Sequence, residues 1–340
     1  MKVKKYRWLL ILLVALIVGI AGEGIYELNI CRKSMKGNHQ VADDPVEESF
    51  ITYSEGIEKN TDGYYAAAEG EIAITISERY INKLSYHYQS AEDYQVNLKI
   101  QTKDIYKNPE VREIKEFNRL NMDTSVVNIQ DYVTQIVIRV PQGVTVSDFV
   151  ILNSWNYNWY RALYIGMFVG LILAIFILKD FIVRRIEIGF LILCLGCGVL
   201  FIAVQPLEAI TWDEHIHFSN TFDWFKTGTV NWSESEWYLY NRPESFDRAA
   251  QLSKEEKQLQ AEYLNDHDSQ NVDSYEKGSF RLSYIGYFHM ALAIKIGQIL
   301  QLPFTALFII GKLANLFLYA VVMFLAIRVL PVGKKFLLTI

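Results

Sequence analysis

Within the fourteen residues Gln205–Phe218 (QPLEAITWDEHIHF) the chain gathers Glu208, Asp213, Glu214, His215 and His217, where an apolar run of membrane-spanning length ends. Acids and imidazoles at the mouth of a membrane helix are costly unless water, a partner or a ligand satisfies them. A helix capped by Thr211 sets Asp213 and His217 on one face at i, i+4, places Glu214 at i+3 from His217, and turns His215 elsewhere. Carboxylates and imidazole so grouped suit acid–base work or the holding of a cation. The stretch therefore reads as the working site of an integral membrane enzyme. The plain alternative is that Asp213 and Glu214 cap a surface helix, whose dipole favours carboxylates at its start.

The elements that position this stretch are membrane helices and a strand-rich domain. Lys2, Lys4, Lys5 and Arg7 precede the apolar run WLLILLVALIVGIAG, and no cleavage-site pattern follows it. Residues 1–24 thus read as a retained anchor with its basic end in the cytoplasm. Residues 25–158 are then extracytoplasmic. Their first part, to about 70, is polar and turn-rich and reads as a loosely ordered lead-in. From 71 onward EIAITI, YQVNLKI, SVVNI, TQIVIRV and DFVIL alternate with period two and are split by turn formers, which predicts an antiparallel β-sandwich. Such a domain serves as a carbohydrate binder or as a spacer. Its tyrosines Tyr80, Tyr86, Tyr88 and Tyr94 suit either sugar stacking or core packing, and core packing is the commoner use.

Residues 159–204 hold spans two and three, joined by a loop with Lys179, Arg184 and Arg185 that the positive-inside tendency places in the cytoplasm. Span three then delivers the acidic stretch to the outer surface. Residues 205–281 form an extracytoplasmic loop; positions 205–280 hold fifteen Asp plus Glu against six Lys plus Arg. Within it, Ser245–Leu264 has helical composition, either lying on the membrane or packed on the strand domain. Residues 282–340 read as spans four (282–300, inward) and five (304–329, outward) plus the start of another. An outward fifth span puts Arg328, Lys334 and Lys335 outside, against the charge rule. The fold class is therefore a polytopic α-helical membrane protein of about five spans with an extracytoplasmic β-sandwich.

Composition agrees. Of 340 residues 51% are hydrophobic, yet mean hydropathy is only +0.11, which fits membrane helices plus a water-exposed part. Seven Trp and twenty-one Tyr suit several membrane–water boundaries. The net charge of −5 and the lack of a basic stripe argue against nucleic acid as a partner. Cys194 and Cys197 lie inside an apolar run and read as small packing residues.

Pro206, Asp213, Glu214, His217 and Phe218, then Tyr284, IKIGQILQLPF (294–304) and KLANLFLYAVVMFLAIRVLP (312–331), together resemble the bacterial membrane family called domain of unknown function 2142 (DUF2142). Trp212 stands where that family usually has proline, and Lys312 where it commonly has arginine. The family in turn is similar to GT-C glycosyltransferases, polytopic enzymes that use polyisoprenyl-phosphate sugars.

That resemblance implies a bacterial plasma-membrane enzyme with an envelope-glycan acceptor and a lipid-linked sugar donor. Asp213, with Glu214 beside it, becomes the catalytic carboxylate that deprotonates or orients the acceptor hydroxyl. The leaving phosphate calls for positive charge, for which His217, Arg242, Arg281 and Lys312 are the substrate-binding candidates. No cofactor is certain. Mg²⁺ or Mn²⁺ held by Asp213, Glu214 and His217 is the candidate metal, with any further ligand from elsewhere. The alternative from another class is a non-catalytic membrane protein that binds or handles envelope polysaccharide or lipid-linked glycan.

Overall fold

A computed structural model describes residues 5–36, 41–119, 122–205, 207, 214–240, 253–277 and 282–330. The chain forms two compact units. One comprises Gly24–Tyr157 and Leu252–Gln260; the other comprises Met1–Glu23, Asn158–Gln251 and Ala261–Ile340.

Helix α1 (Lys5–Ser34) contains the apolar run and continues past the expected boundary at residue 24. The strand unit then begins earlier than the alternation suggests. β1 (Asp44–Pro45), β2 (Ile51–Tyr53), β3 (Ile57–Asn60) and β4 (Gly63–Ala66) occupy part of the stretch expected to be loosely ordered. They are short, and tertiary pairing supports them: β1 lies along the later β9 (Thr145–Leu152) and β2 along β5 (Gly70–Gln89). With β6 (Tyr94–Lys103), β7 (Pro109–Asn118) and β8 (Thr124–Val140) they make one nine-stranded antiparallel sheet, ordered β3-β4-β9-β5-β8-β6-β7. SVVNI and TQIVIRV are not two strands but one, β8, carried through an irregularity where Gln130 has φ 56°.

Alternation sends Ile72, Ile74, Leu98, Ile100, Ile136 and Ile138 into one core, each without exposed surface. Burial of such a side chain contributes about 2 kcal/mol relative to exposure. Tyr80, Tyr86 and Tyr88 are likewise buried and Tyr94 packs against that core. The tyrosine cluster is thus core packing.

In the other unit, α2 (Trp159–Ile177) starts at Asn158, whose side chain accepts from Arg161 N. The expected basic loop is a short helix, α3 (Lys179–Arg184), leading to α4 (Ile186–Val204). The described residues of the acidic segment form α5 (Glu214–Phe222), β10 (Gly228–Ser233), α6 (Glu234–Tyr240), α7 (Lys254–Asp266) and β11 (Asn271–Lys277), with β10 and β11 paired antiparallel. The first half of α7, to Gln260, belongs to the strand unit, where Glu255 pairs with Lys83 at 2.7 Å and Glu256 accepts from Val126 N at 3.0 Å. A 3-10 turn (Leu282–Tyr287), α8 (Phe288–Ile299) and α9 (Phe304–Val329) complete the described fold.

Among the described residues four helices are long and apolar enough to cross a membrane: Tyr6–Ser34, Trp159–Ile177, Ile186–Ala203 and Phe304–Val329. The expected span at 282–300 is not among them. Its α-helical part has 12 residues, a rise of roughly 18 Å against a hydrocarbon core of about 30 Å. Helix α9 runs opposite to α4. Lys312 meets Gln205, Leu316 faces Gly198, and Tyr319 packs on Phe190. Asn265 of α7 accepts from Thr305 N at 3.1 Å, so α9 begins beside the loop that follows α4. The last helix therefore runs back toward the end where α4 starts.

Candidate functional site

The site is built on α5. One turn of this helix separates His217 from Thr221, and the Thr221 hydroxyl donates to the His217 carbonyl at 2.7 Å. Phe218 and Phe222 seat the helix against α9, with ring centroids 5.4 Å apart for Phe218–Phe308 and 5.5 Å for Phe222–Phe304. This aromatic contact fixes which face of α5 points at its neighbours. That face borders a cavity of about 780 Å³, within the size range of small-molecule sites.

Most of the cavity wall is apolar: Ile202 of α4, Met290 and Ile294 of α8, and Phe308, Leu316 and Tyr319 of α9 contribute to it. The polar groups on it are His217, Thr221, Tyr287, Lys312 and Asn315. His217 Nδ1 and the Tyr287 hydroxyl lie 2.7 Å apart, which joins α5 to the 3-10 turn. Lys312 Nζ donates to Gln205 Oε1 at 3.2 Å and stands 4.4 Å from the centroid of the Phe308 ring, so a ring face holds the cation in place. Asn315 Oδ1 lies 3.3 Å from His289 Nε2, the helix–helix hydrogen bond expected of a membrane histidine. Few polar groups in a largely apolar wall can orient the charged end of a lipid-like molecule while the wall accepts its chain.

Two of the sequence-predicted residues, His217 and Lys312, thus meet on one cavity from distant parts of the chain. Asp213, Arg242 and Arg281 lie outside the described residues. Glu214 opens α5 but its side chain is also outside them. Among the described residues no group of three or more His, Cys, Asp or Glu could hold a metal ion. Of the proposed metal ligands only His217 is described, and its Nδ1 is engaged with Tyr287. Tyr287 and Thr221 carry no motif signal, and Asn315 lies in the matching stretch 312–331 without an assigned role; only the i, i+4 spacing of His217 and Thr221 on a short helix could have pointed to Thr221.

A buried ionic cluster braces the segment behind α5. Asp223, 1% exposed, receives the Trp232 indole N–H at 3.2 Å and the Tyr275 hydroxyl at 2.9 Å on Oδ2. Lys226 pairs with Asp223 at 2.7 Å and with Glu236 at 3.2 Å, and Lys277 donates to the Asp223 carbonyl. Burial works against the Lys226 charge, but Glu236 and Asp223 outweigh it and raise its pKa. Burial likewise pushes Glu236 up, although Lys226 opposes this. Ser233 and Glu236 form a reciprocal cap at the start of α6, at 2.9 and 3.1 Å. The Ser235 hydroxyl ties α6 to the Leu264 carbonyl at 2.6 Å. Asp268, at the surface, accepts from Ser233 Oγ at 3.4 Å.

Residues 195–340 match the family described as "Predicted membrane protein (DUF2142)". This part of the chain belongs to DUF2142. The match holds α5, α8, α9 and the cavity between them. No curated protein matches the chain. Solved structures similar to it include the family 32 carbohydrate-binding module of C. perfringens NanJ in complex with galactose, at 9% identity and a TM-score of 0.25, covering 32% of this chain and 98% of that one. The family 11 carbohydrate-binding module of a Clostridium thermocellum cellulosomal cellulase is another, at 10% identity and a TM-score of 0.20, covering 37% of this chain and 95% of that one. Neither likeness bears on what this chain binds.

Proposed function

We propose that this DUF2142 protein is an integral membrane glycosyltransferase of GT-C type. It moves a sugar from a polyisoprenyl-phosphate carrier to a cell-envelope glycan on the outer face of the bacterial plasma membrane. The observation that supports this reading is the convergence of His217 and Lys312 on one largely apolar cavity beside the opening of α5. Asp213 directly precedes α5 in sequence and serves as the base that takes the acceptor's proton as the new glycosidic bond forms. Glu214 adds negative charge against the positive charge that develops at the anomeric carbon. Lys312 and His217 receive the departing lipid phosphate, with Arg242 and Arg281 as further cationic candidates and Mg²⁺ or Mn²⁺ as the candidate metal. The apolar wall takes the first isoprenyl units.

The test is sugar transfer in membranes from cells expressing the full-length gene, with wild type, Asp213→Asn and Lys312→Ala at matched membrane levels. Loss of a carboxylate base or of a phosphate-facing cation is expected to lower the rate by about 10²-fold or more. Equal product from wild type and Asp213→Asn sinks the catalytic assignment. An Asn variant that fails to accumulate makes the acid structural.

A further inference from the structure

The strand unit carries a second cavity, of about 740 Å³, where the β3–β4 turn, the end of β5 and the start of β9 come together. Its chemistry differs from that of the membrane-side cavity. Asn60, Asp62, His87, Gln89, Asp123 and Asp148 supply hydrogen-bonding groups, while Tyr64 and Phe149, with ring centroids 6.2 Å apart, supply an apolar base. Several of the polar groups are held before any ligand arrives. The Thr124 hydroxyl donates to Asp123 Oδ1 at 2.8 Å and lies 3.1 Å from His87 Nδ1. Asn60 Oδ1 accepts from Asp62 N at 3.0 Å.

Asp148 is the sharpest sign that the cavity is built rather than left over. Its φ is 51°, in the left-handed region that L side chains seldom occupy. Ser85 pairs with Val150 and His87 with Ser147, so β9 bulges between these pairs, at Asp148 and Phe149. Bulges of this kind redirect a side chain, and strained backbone concentrates where ligands bind.

Charge narrows the ligand class. Four carboxylates line the cavity, Glu48, Asp62, Asp123 and Asp148, against the one lysine Lys59, which already pairs with Glu48 at 2.5 Å. A phosphate, a uronate or a nucleic acid would meet net negative charge. Among the described residues no metal-holding group of acids and histidines exists. What fits is a neutral molecule with many hydroxyls: carboxylates accept paired hydroxyl donors, and amide and imidazole groups donate or accept. We infer that the strand unit binds a neutral saccharide in this cavity, with Asp62 and Asp148 as its principal acceptors. This inference does not rest on the transferase reading.

The test uses the full chain in lipid nanodiscs on a printed array of neutral, N-acetylated and uronic-acid oligosaccharides. Wild type is expected to be retained on neutral or N-acetylated sugars and not on uronic acids. Asp148→Gly is expected to lose at least tenfold in binding while its melting temperature holds or rises, because glycine takes this φ without strain. No retention on any neutral sugar, retention on uronic acids alone, or undiminished binding by Asp148→Gly overturns the proposal.

Discussion

Glu23 has no exposed surface, and both of its oxygens meet Arg161, at 2.5 Å from Nε and 2.7 Å from Nη2. Asn158 N adds a third hydrogen bond at 2.8 Å. An ion pair buried this way contributes little net stability compared with an apolar pair, yet it is costly to halve. Arg161→Ala should therefore destabilise the chain by about 3 kcal/mol, read by denaturation in detergent, while the double variant Glu23→Leu/Arg161→Leu should recover most of the loss. At this scale the sequence was partly legible. His217 stood out because imidazole beside two carboxylates at a helix mouth is an expensive combination, and Lys312 because a charge inside an apolar run needs a reason. Tyr287 and Thr221 did not stand out, since tyrosine and threonine are ordinary residues until packing brings them to one wall. Its contact with Gln205 sets Lys312 where α4 ends.

Among elements, the crossing of α1 and α2 is set by small residues. A Cβ on Gly19 would stand 2.4 Å from the Ala162 carbonyl oxygen, and one on Gly166 would stand 2.9 Å from the Ala15 carbonyl oxygen. Backbones this close gain dispersion contacts that larger side chains would forbid. Gly19→Leu is expected to cost about 2 kcal/mol through overpacking, whereas Gly24→Leu, with nothing within 4 Å of its Cβ, should leave the unfolding midpoint unchanged. Hydropathy located α1, α2, α4 and α9 because composition alone marks a membrane helix. It failed at 282–300, because a window average does not register that the first six residues form a 3-10 turn and only the rest an α-helix. Period-two alternation found β5, β6, β8 and β9, but β1 to β4 are too short to show a period.

At the scale of whole folded units, pH enters through Glu116 and Glu256. Burial, with a smaller contribution from the Glu256 charge, pushes Glu116 up to about 8, and Arg119 offsets only part of this. Burial raises Glu256 as well, although Val126 N and Ser253 N favour its charged form. The folded strand unit thus keeps protons that the unfolded chain releases near pH 4.5. Its stability is greatest below that value and falls as pH rises toward 8. Glu255 has the opposite sign, since Lys83 outweighs burial and lowers its pKa; that contribution fades only in acid, as pH falls below the ordinary carboxylate range. A thermal midpoint that declines between pH 5 and pH 9, with a flatter profile for Glu116→Gln, is the expected result.

The antiparallel pairing of α9 with α4 has an electrical consequence. Among the described residues four helices are long and apolar enough to cross a membrane; were each to cross once, an even number, the end of α9 would return to the side from which α1 sets out. A chain that starts inside then keeps Arg328 on the same side as Lys2, Lys4, Lys5, Arg7, Lys179, Arg184 and Arg185. Moving one of these charges outward against an inside-negative potential of 100 mV costs about 2.3 kcal/mol. In that arrangement the voltage across the bilayer and the antiparallel packing of α4 and α9 would select the same sense of insertion.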